Sequence, residues 1–223
     1  MNLSPFIDHT LLKPTALIEE IEKLCREAVA YGFAAVCVPP PFVKRAKAIL
    51  SPTDIKVATV VGFPFGYAAT EAKLAETLLA VVDGADEIDM VINLVALKMK
   101  DWDYIVKEVK LISEVVHKKN KLLKVIIESG ILDDQEIILC CQYIGQAGID
   151  YMKTSTGYAE KGATIEAVQL MRRHLPSDIK IKASGGIRDY PFAKMLVEAG
   201  AERLGCSASV AIVTGEPGFT GGY

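Results

Sequence analysis

The 223-residue chain is 51% hydrophobic, enough to bury one large core, and nothing in it demands a second domain. Its 25 basic and 28 acidic residues are spread along the sequence and leave a net charge of −3, which argues against a nucleic-acid partner. No uncharged run approaches the roughly 18 residues of a membrane span and no secretory signal opens the chain, so a cytoplasmic protein without membrane contact is expected.

Short apolar runs rich in β-branched residues alternate with longer amphipathic stretches, the pattern of βα units around a parallel sheet. The chain predicts a strand over 6–8 and then a helix over 16–30. In that helix Ile18, Ile21, Leu24, Cys25 and Ala28 recur at helical spacing, with Thr15 as its cap and Gly32 as its stop. Strands over 35–38, 57–61, 87–92 and 122–128 follow, separated by helices over 42–50, 70–82 and 103–117. A helix over 133–147, a strand over 151–153, a helix over 164–174, a strand over 179–183, a helix over 191–199 and a strand over 203–205 complete the order. Gly84, Gly148 and Gly200 punctuate the later helices.

Eight strands at roughly 28-residue spacing fit a (β/α)8 TIM barrel, an α/β fold, as one domain over 1–223. The open doubly wound sheet is the alternative, without the Gly-x-Gly-x-x-Gly turn of a dinucleotide site. The Gly- and Pro-rich stretch from about 214 to 223 is expected to be a mobile tail.

Barrel chemistry sits at the C-terminal ends of strands. Lys153 and Lys182 end two successive apolar strands, and each is followed by a Thr/Ser/Gly-rich turn. A lysine nucleophile must be neutral, and at a pKa of about 10.4 only roughly one molecule in 2,500 is neutral at pH 7. A second ammonium about 4 Å away, at an effective dielectric near 20, costs on the order of 4 kcal/mol, or about 3 pKa units. Two amines at one strand end therefore point to Schiff-base chemistry more strongly than either alone. Lys124 and Lys180 read as ordinary lysines on the opposite side of the sheet.

Asp89 interrupts an apolar strand, and alternation places it on one face with Glu87 and Val91. Its carboxylate needs a cationic or hydrogen-bonding partner, which the lysine pair could provide, and a purely structural salt bridge is the competing reading. Asp8 is a weaker candidate for the same role. Gly157, Gly185, Gly186 and the Gly205-Cys206-Ser207 turn follow three late strands, where backbone N–H groups approach an anion, so a phosphate is expected there. The three histidines, His9, His117 and His174, make no cluster, and the five cysteines make no Cys-x-x-Cys pair, so neither metal nor cofactor is expected.

With these residues in hand, the chain resembles the deoxyribose-phosphate aldolases, class I aldolases with a (β/α)8 fold. The matching segments are Phe6-Ile-Asp-His-Thr-Leu-Leu-Lys13, Val36-Cys-Val-Pro-Pro40, Val60-Val-Gly-Phe-Pro64, Glu87-Ile-Asp-Met-Val-Ile-Asn93, Lys124-Val-Ile-Ile-Glu128, Lys153-Thr-Ser-Thr-Gly157, Lys182-Ala-Ser-Gly-Gly-Ile-Arg188 and Arg203-Leu-Gly-Cys-Ser207. The resemblance implies reversible cleavage of 2-deoxy-D-ribose 5-phosphate to D-glyceraldehyde 3-phosphate and acetaldehyde. Lys153 would form the Schiff base, Lys182 tune it, and Asp89 relay protons with help from Asp8. Phosphate contacts are implied at Gly157, Gly185, Gly186 and Ser207, with Thr156 nearby.

Cys37 falls where many members place a cysteine close to the substrate, although a small core residue is the preferred reading. Some members carry a C-terminal tyrosine that folds over the site, and Tyr223 has that position; a frayed tail is the equal alternative. Val95, Cys206 and Ala208 depart from the family pattern in the loops that would shape phosphate binding. The family suggests a homodimer or homotetramer, with a phosphorylated sugar and small aldehydes as ligands. Another imine-forming aldolase, a sugar-phosphate isomerase or epimerase, and a noncatalytic phosphate-binding barrel remain open.

Overall fold

Each apolar run predicted as a strand pairs in parallel with the runs before and after it, and the first pairs with the last, closing an eight-stranded barrel. The computed structural model describes residues 1–215. The strands are β1 (Ile7–Thr10), β2 (Ala35–Val38), β3 (Lys56–Val61), β4 (Glu87–Val91), β5 (Leu122–Ile126), β6 (Tyr151–Lys153), β7 (Lys180–Ser184) and β8 (Arg203–Cys206). Around them lie α1 (Ile18–Tyr31), α2 (Val43–Leu50), α3 (Thr70–Val82), α4 (Leu94–Lys98), α5 (Trp102–His117), α6 (Asp134–Ile144), α7 (Ile165–His174), α8 (Tyr190–Glu198) and α9 (Ser209–Thr214).

The helices form because their apolar stripes match the sheet's outer face. In α5, Ile105, Val109, Ile112 and Val116 recur every three or four residues and are all buried. Fully burying one such side chain contributes about 1.5–3 kcal/mol. Asp101 caps the helix by accepting from the Tyr104 N–H at 3.1 Å, worth about 1 kcal/mol. Gly32, at φ 65°, ends α1 in the left-handed region as expected.

Several boundaries differ from the sequence reading. Residues Ser4–Phe6 make a 3-10 turn entered through Pro5, so β1 starts at Ile7 and runs on to Thr10. Thr15 does not cap α1; the Glu20 side chain turns back to accept from the Leu17 N–H at 2.9 Å. The short α4 was not anticipated, because five residues cannot display a helical period, although Asn93 caps it by accepting from the Val95 and Ala96 N–H groups. Thr214, expected in the tail, closes α9, and Gly215 caps it at φ 74°. The rest of the expected tail, Tyr223 included, lies outside the described residues.

The apolar core is split by the sheet. Most of it lies between sheet and helices, while a small cluster of Leu12, Cys37, Ala58 and Val60, with Phe63 packed on it, fills part of the barrel interior. The remaining interior is ionic. At the N-terminal rim Tyr151 lies beneath Arg203 and Lys180, with 5.5 and 5.7 Å from their charged groups to the ring centre, and Arg203 binds Glu87 at 3.0 Å. Side chains thus fill that end of the barrel.

Candidate active site

Register brings the predicted amines together. Lys153 on β6 sits directly opposite Lys182 on β7, and Asp89 on β4 sits opposite Lys124 on β5. In a parallel sheet such partners point to the same face, here the barrel interior. The Asp89 carboxylate joins the sets: Oδ2 accepts from Lys153 Nζ at 2.8 Å and Lys182 Nζ at 2.7 Å, and Oδ1 accepts from Lys124 Nζ at 2.7 Å. Lys182 also donates to Asp8, whose other oxygen accepts from Arg203 at 2.6 Å. Lys124 reaches Glu87 at 2.6 Å.

Lys124 is therefore no snorkelling surface residue. It is wholly buried and faces the same interior as Lys153, contrary to the sequence reading, because a lysine in mid-strand cannot reach water from inside a closed barrel. Lys180, by contrast, is exposed at the lower rim, two residues before Lys182 and so on its face of the strand, not the opposite one. Gly205 makes room for Lys182, since a side chain there would come within 3.2 Å of its Cε.

The bonded cluster holds four cations, Lys124, Lys153, Lys182 and Arg203, against three carboxylates, Asp8, Glu87 and Asp89. One amine is in excess, and the environment selects which. Burial lowers the pKa of Lys153 below the ordinary lysine value; Asp89 opposes that shift and Lys182 adds to it. Burial works on Lys182 too, but Asp8 and Asp89 outweigh it and hold Lys182 well above the usual range. Desolvation thus ranks ahead of the neighbouring ammonium in tuning Lys153. Asp89, despite its burial, is held well below the usual carboxylate range by Lys124, Lys153 and Lys182. The arrangement can present a neutral amine beside a charged carboxylate.

Gly157, Gly185, Gly186 and Ser207 line one cavity of about 180 Å³ with Gly162, Gly205 and Arg188. Its floor is glycine: a side chain on Gly185 would lie 3.1 Å from the Gly162 Cα, and one on Gly162 only 2.2 Å from the Gly185 carbonyl oxygen. Gly162 and Arg188 were missed as site residues; Gly162 ends a surface-type run, and its signal was the glycine placed before the helix cap Thr164.

Thr156 does not line that cavity. Its hydroxyl donates to Glu128 and its N–H points at the same carboxylate from 3.2 Å. Glu128 itself holds a left-handed backbone at φ 55°, unusual for a side chain of its size. Cys37 is completely buried in the interior cluster, and burial pushes its thiol up to about 11. That environment favours the packing reading over a reactive thiolate. Cys206 is likewise buried, while Val95 is exposed on α4 and Ala208 precedes α9.

A closed β/α barrel whose interior ends in a buried amine–carboxylate cluster, beside a glycine-floored cavity, belongs to the class of barrel proteins equipped for amine chemistry on a small polar substrate. Residues 5–215 match the sequence model of the DeoC/LacD family of aldolases, and the chain belongs to that family. It is 49% identical over 217 residues to the deoxyribose-phosphate aldolase of Thermococcus gammatolerans, covering 96% of each chain. Identity to the corresponding enzyme of Caldanaerobacter subterraneus is 50% over 214 residues, covering 96% of this chain and 93% of the relative. The tetrameric deoxyribose phosphate aldolase structure from Aeropyrum pernix superposes with a TM-score of 0.89 at 33% identity, over 95% of this chain and 89% of that one.

Proposed function

We propose that this protein is a class I deoxyribose-phosphate aldolase that reversibly cleaves 2-deoxy-D-ribose 5-phosphate to D-glyceraldehyde 3-phosphate and acetaldehyde through a Schiff base on Lys153. The observation that carries the reading is the surplus amine: among four cations and three carboxylates, Lys153 is the one whose surroundings favour the neutral form.

Neutral Lys153 attacks C1 of the open-chain aldehyde, and loss of water gives a protonated imine, which serves as the electron sink. The C3 hydroxyl proton passes toward Asp89, and the C2–C3 bonding pair moves into the imine to leave an enamine. The triose phosphate departs with its new carbonyl at the former C3. Protonation of the enamine carbon and hydrolysis then release acetaldehyde and return the amine. Lys182 stays charged throughout, fixed between Asp8 and Asp89. The phosphate rests in the glycine-floored cavity, where Gly157, Gly185, Gly186 and Ser207 offer backbone and hydroxyl donors and Arg188 a cation. Binding energy from that remote group orients the reacting carbons.

Borohydride reduction in the presence of acetaldehyde, followed by peptide mapping, tests the reading. Ethylation confined to Lys153 with loss of activity is the expected outcome. Unlabelled lysines, under conditions that label a known imine-forming aldolase, would sink it. Further proposals are a cytoplasmic location, supported by five free buried cysteines, and self-association, to be measured by light scattering. Among the described residues no helix is long and apolar enough to cross a membrane.

A further inference from the structure

β1 alternates between two duties. Asp8 faces the barrel interior, so His9, the next residue, faces outward into the layer between α1 and α9. There it is almost completely buried and packs edge-on against Phe33, with ring centres 5.2 Å apart. Its Nε2 lies 2.9 Å from a Glu27 carboxylate oxygen on α1, and its Nδ1 lies 3.0 Å from the Ser209 hydroxyl at the start of α9. None of these three residues has a place in the chemistry above.

Ser209 Oγ lies 2.9 Å from the Cys206 carbonyl oxygen and 3.0 Å from His9 Nδ1, so the hydroxyl bridges the end of β8 and the imidazole. The Cys206-to-Ser209 bond closes the turn that displays Ser207. Cys206 is also the residue on β8 that stands opposite His9 in the β1–β8 register. Ser207 lines the glycine-floored cavity on one side and, on the other, a second cavity of about 350 Å³ walled by His9 and Glu27. The turn is thus held from behind by a chain of hydrogen bonds running Glu27, His9, Ser209, Cys206. Glu27 titrates below its usual value because of the His9 bond, so the first member of the chain is an ionised acceptor.

We propose that His9, anchored by Glu27, is a positioning residue for the phosphate end of the site, fixing Ser207 through Ser209 without touching the reacting carbons. The proposal rests on the aldolase reading and on assigning the glycine-floored cavity to phosphate. It assigns the His9 layer to substrate binding and the Asp8 face of the same strand to chemistry.

The full-length Ser209→Ala and Glu27→Ala variants test it, because each removes one link while leaving His9 and the interior cluster in place. Cleavage of 2-deoxyribose 5-phosphate and of unphosphorylated 2-deoxyribose is measured for each, together with competitive inhibition by inorganic phosphate. KM for the phosphorylated sugar and the inhibition constant of phosphate should both rise about five- to tenfold. Turnover numbers, and kcat/KM for the free sugar, should stay within about twofold of the wild type. Equal losses on both sugars would make the chain a general structural support and overturn the proposal. Unchanged KM and phosphate inhibition in both variants would overturn it too. A wild-type protein that cleaves both sugars equally well and ignores phosphate would bring down the phosphate assignment and this inference together, whereas a wild type that distinguishes them leaves only the inference at stake.

Discussion

Asp89 receives three ammonium groups on two oxygens, so beyond its proposed relay of the substrate's hydroxyl proton it acts on Lys153 by charge. Replacing Asp89 by Asn removes the relay and should lower turnover by about 100-fold or more while phosphate still inhibits competitively. It also removes the attraction that favours charged Lys153, so the remaining activity should rise at lower pH. Near-normal turnover would make Asp89 a structural ion-pair partner. Lys182→Leu acts in the opposite direction: with one cation fewer near Asp89, Lys153 holds its proton more firmly and the rate profile moves to higher pH. The same change strips Asp8 of a partner in a buried site, at a cost of about 3–5 kcal/mol, visible as a lowered melting temperature. An unshifted profile in a folded variant would remove Lys182 from the tuning role.

At the scale of elements, the loops after β6 and β7 meet through glycines. Gly162→Ala would drive a methyl group to 2.2 Å from the Gly185 carbonyl, so the two loops must part. Loss of inhibition by inorganic phosphate is expected, with a fall in melting temperature equivalent to about 1–3 kcal/mol. Unaltered phosphate inhibition would show that the loops tolerate the methyl group. The strand order was legible because β-branched runs and helical stripes alternate with regular punctuation, and Lys153 and Lys182 were legible because charge at the end of an apolar strand is conspicuous. Lys124 was hidden by the same rule, since a lysine in mid-strand looks like a surface residue until closure of the barrel fixes which face is inside. Arg203 owes its place to register, which no local pattern carries, and Gly162 to a loop contact of which the glycine before the helix cap was the one local trace.

For the molecule as a whole, the buried ion cluster sets how stability depends on pH. Asp8 and Asp89 titrate below the usual carboxylate range when folded, so at acid pH the unfolded chain binds the extra protons. Their contribution is full above about pH 4 and is lost as the pH falls through the folded values. Lys182 works at the other end: held above its ordinary 10.5, it stabilises the fold below that pH and ceases to do so as the pH rises toward the folded value. Lys153, shifted down, opposes it in the alkaline range. Calorimetry should show a melting temperature that falls steeply between pH 4 and 2, and a flat profile there would contradict the charged state of the two aspartates.

Among the described residues, Arg203, Tyr151, Glu87 and Lys180 pack together at the lower rim, at the end of the barrel away from the glycine-floored cavity. In the proposed reaction, substrate and products pass through the opposite mouth, on the side of the glycine-floored cavity. In the proposed cycle the two-carbon fragment stays tethered to Lys153 at depth while the phosphorylated fragment is held at the lip. Position and chemistry then agree on the order of departure: C2–C3 cleavage frees the triose phosphate first, and hydrolysis of the imine left on Lys153 frees the acetaldehyde afterwards.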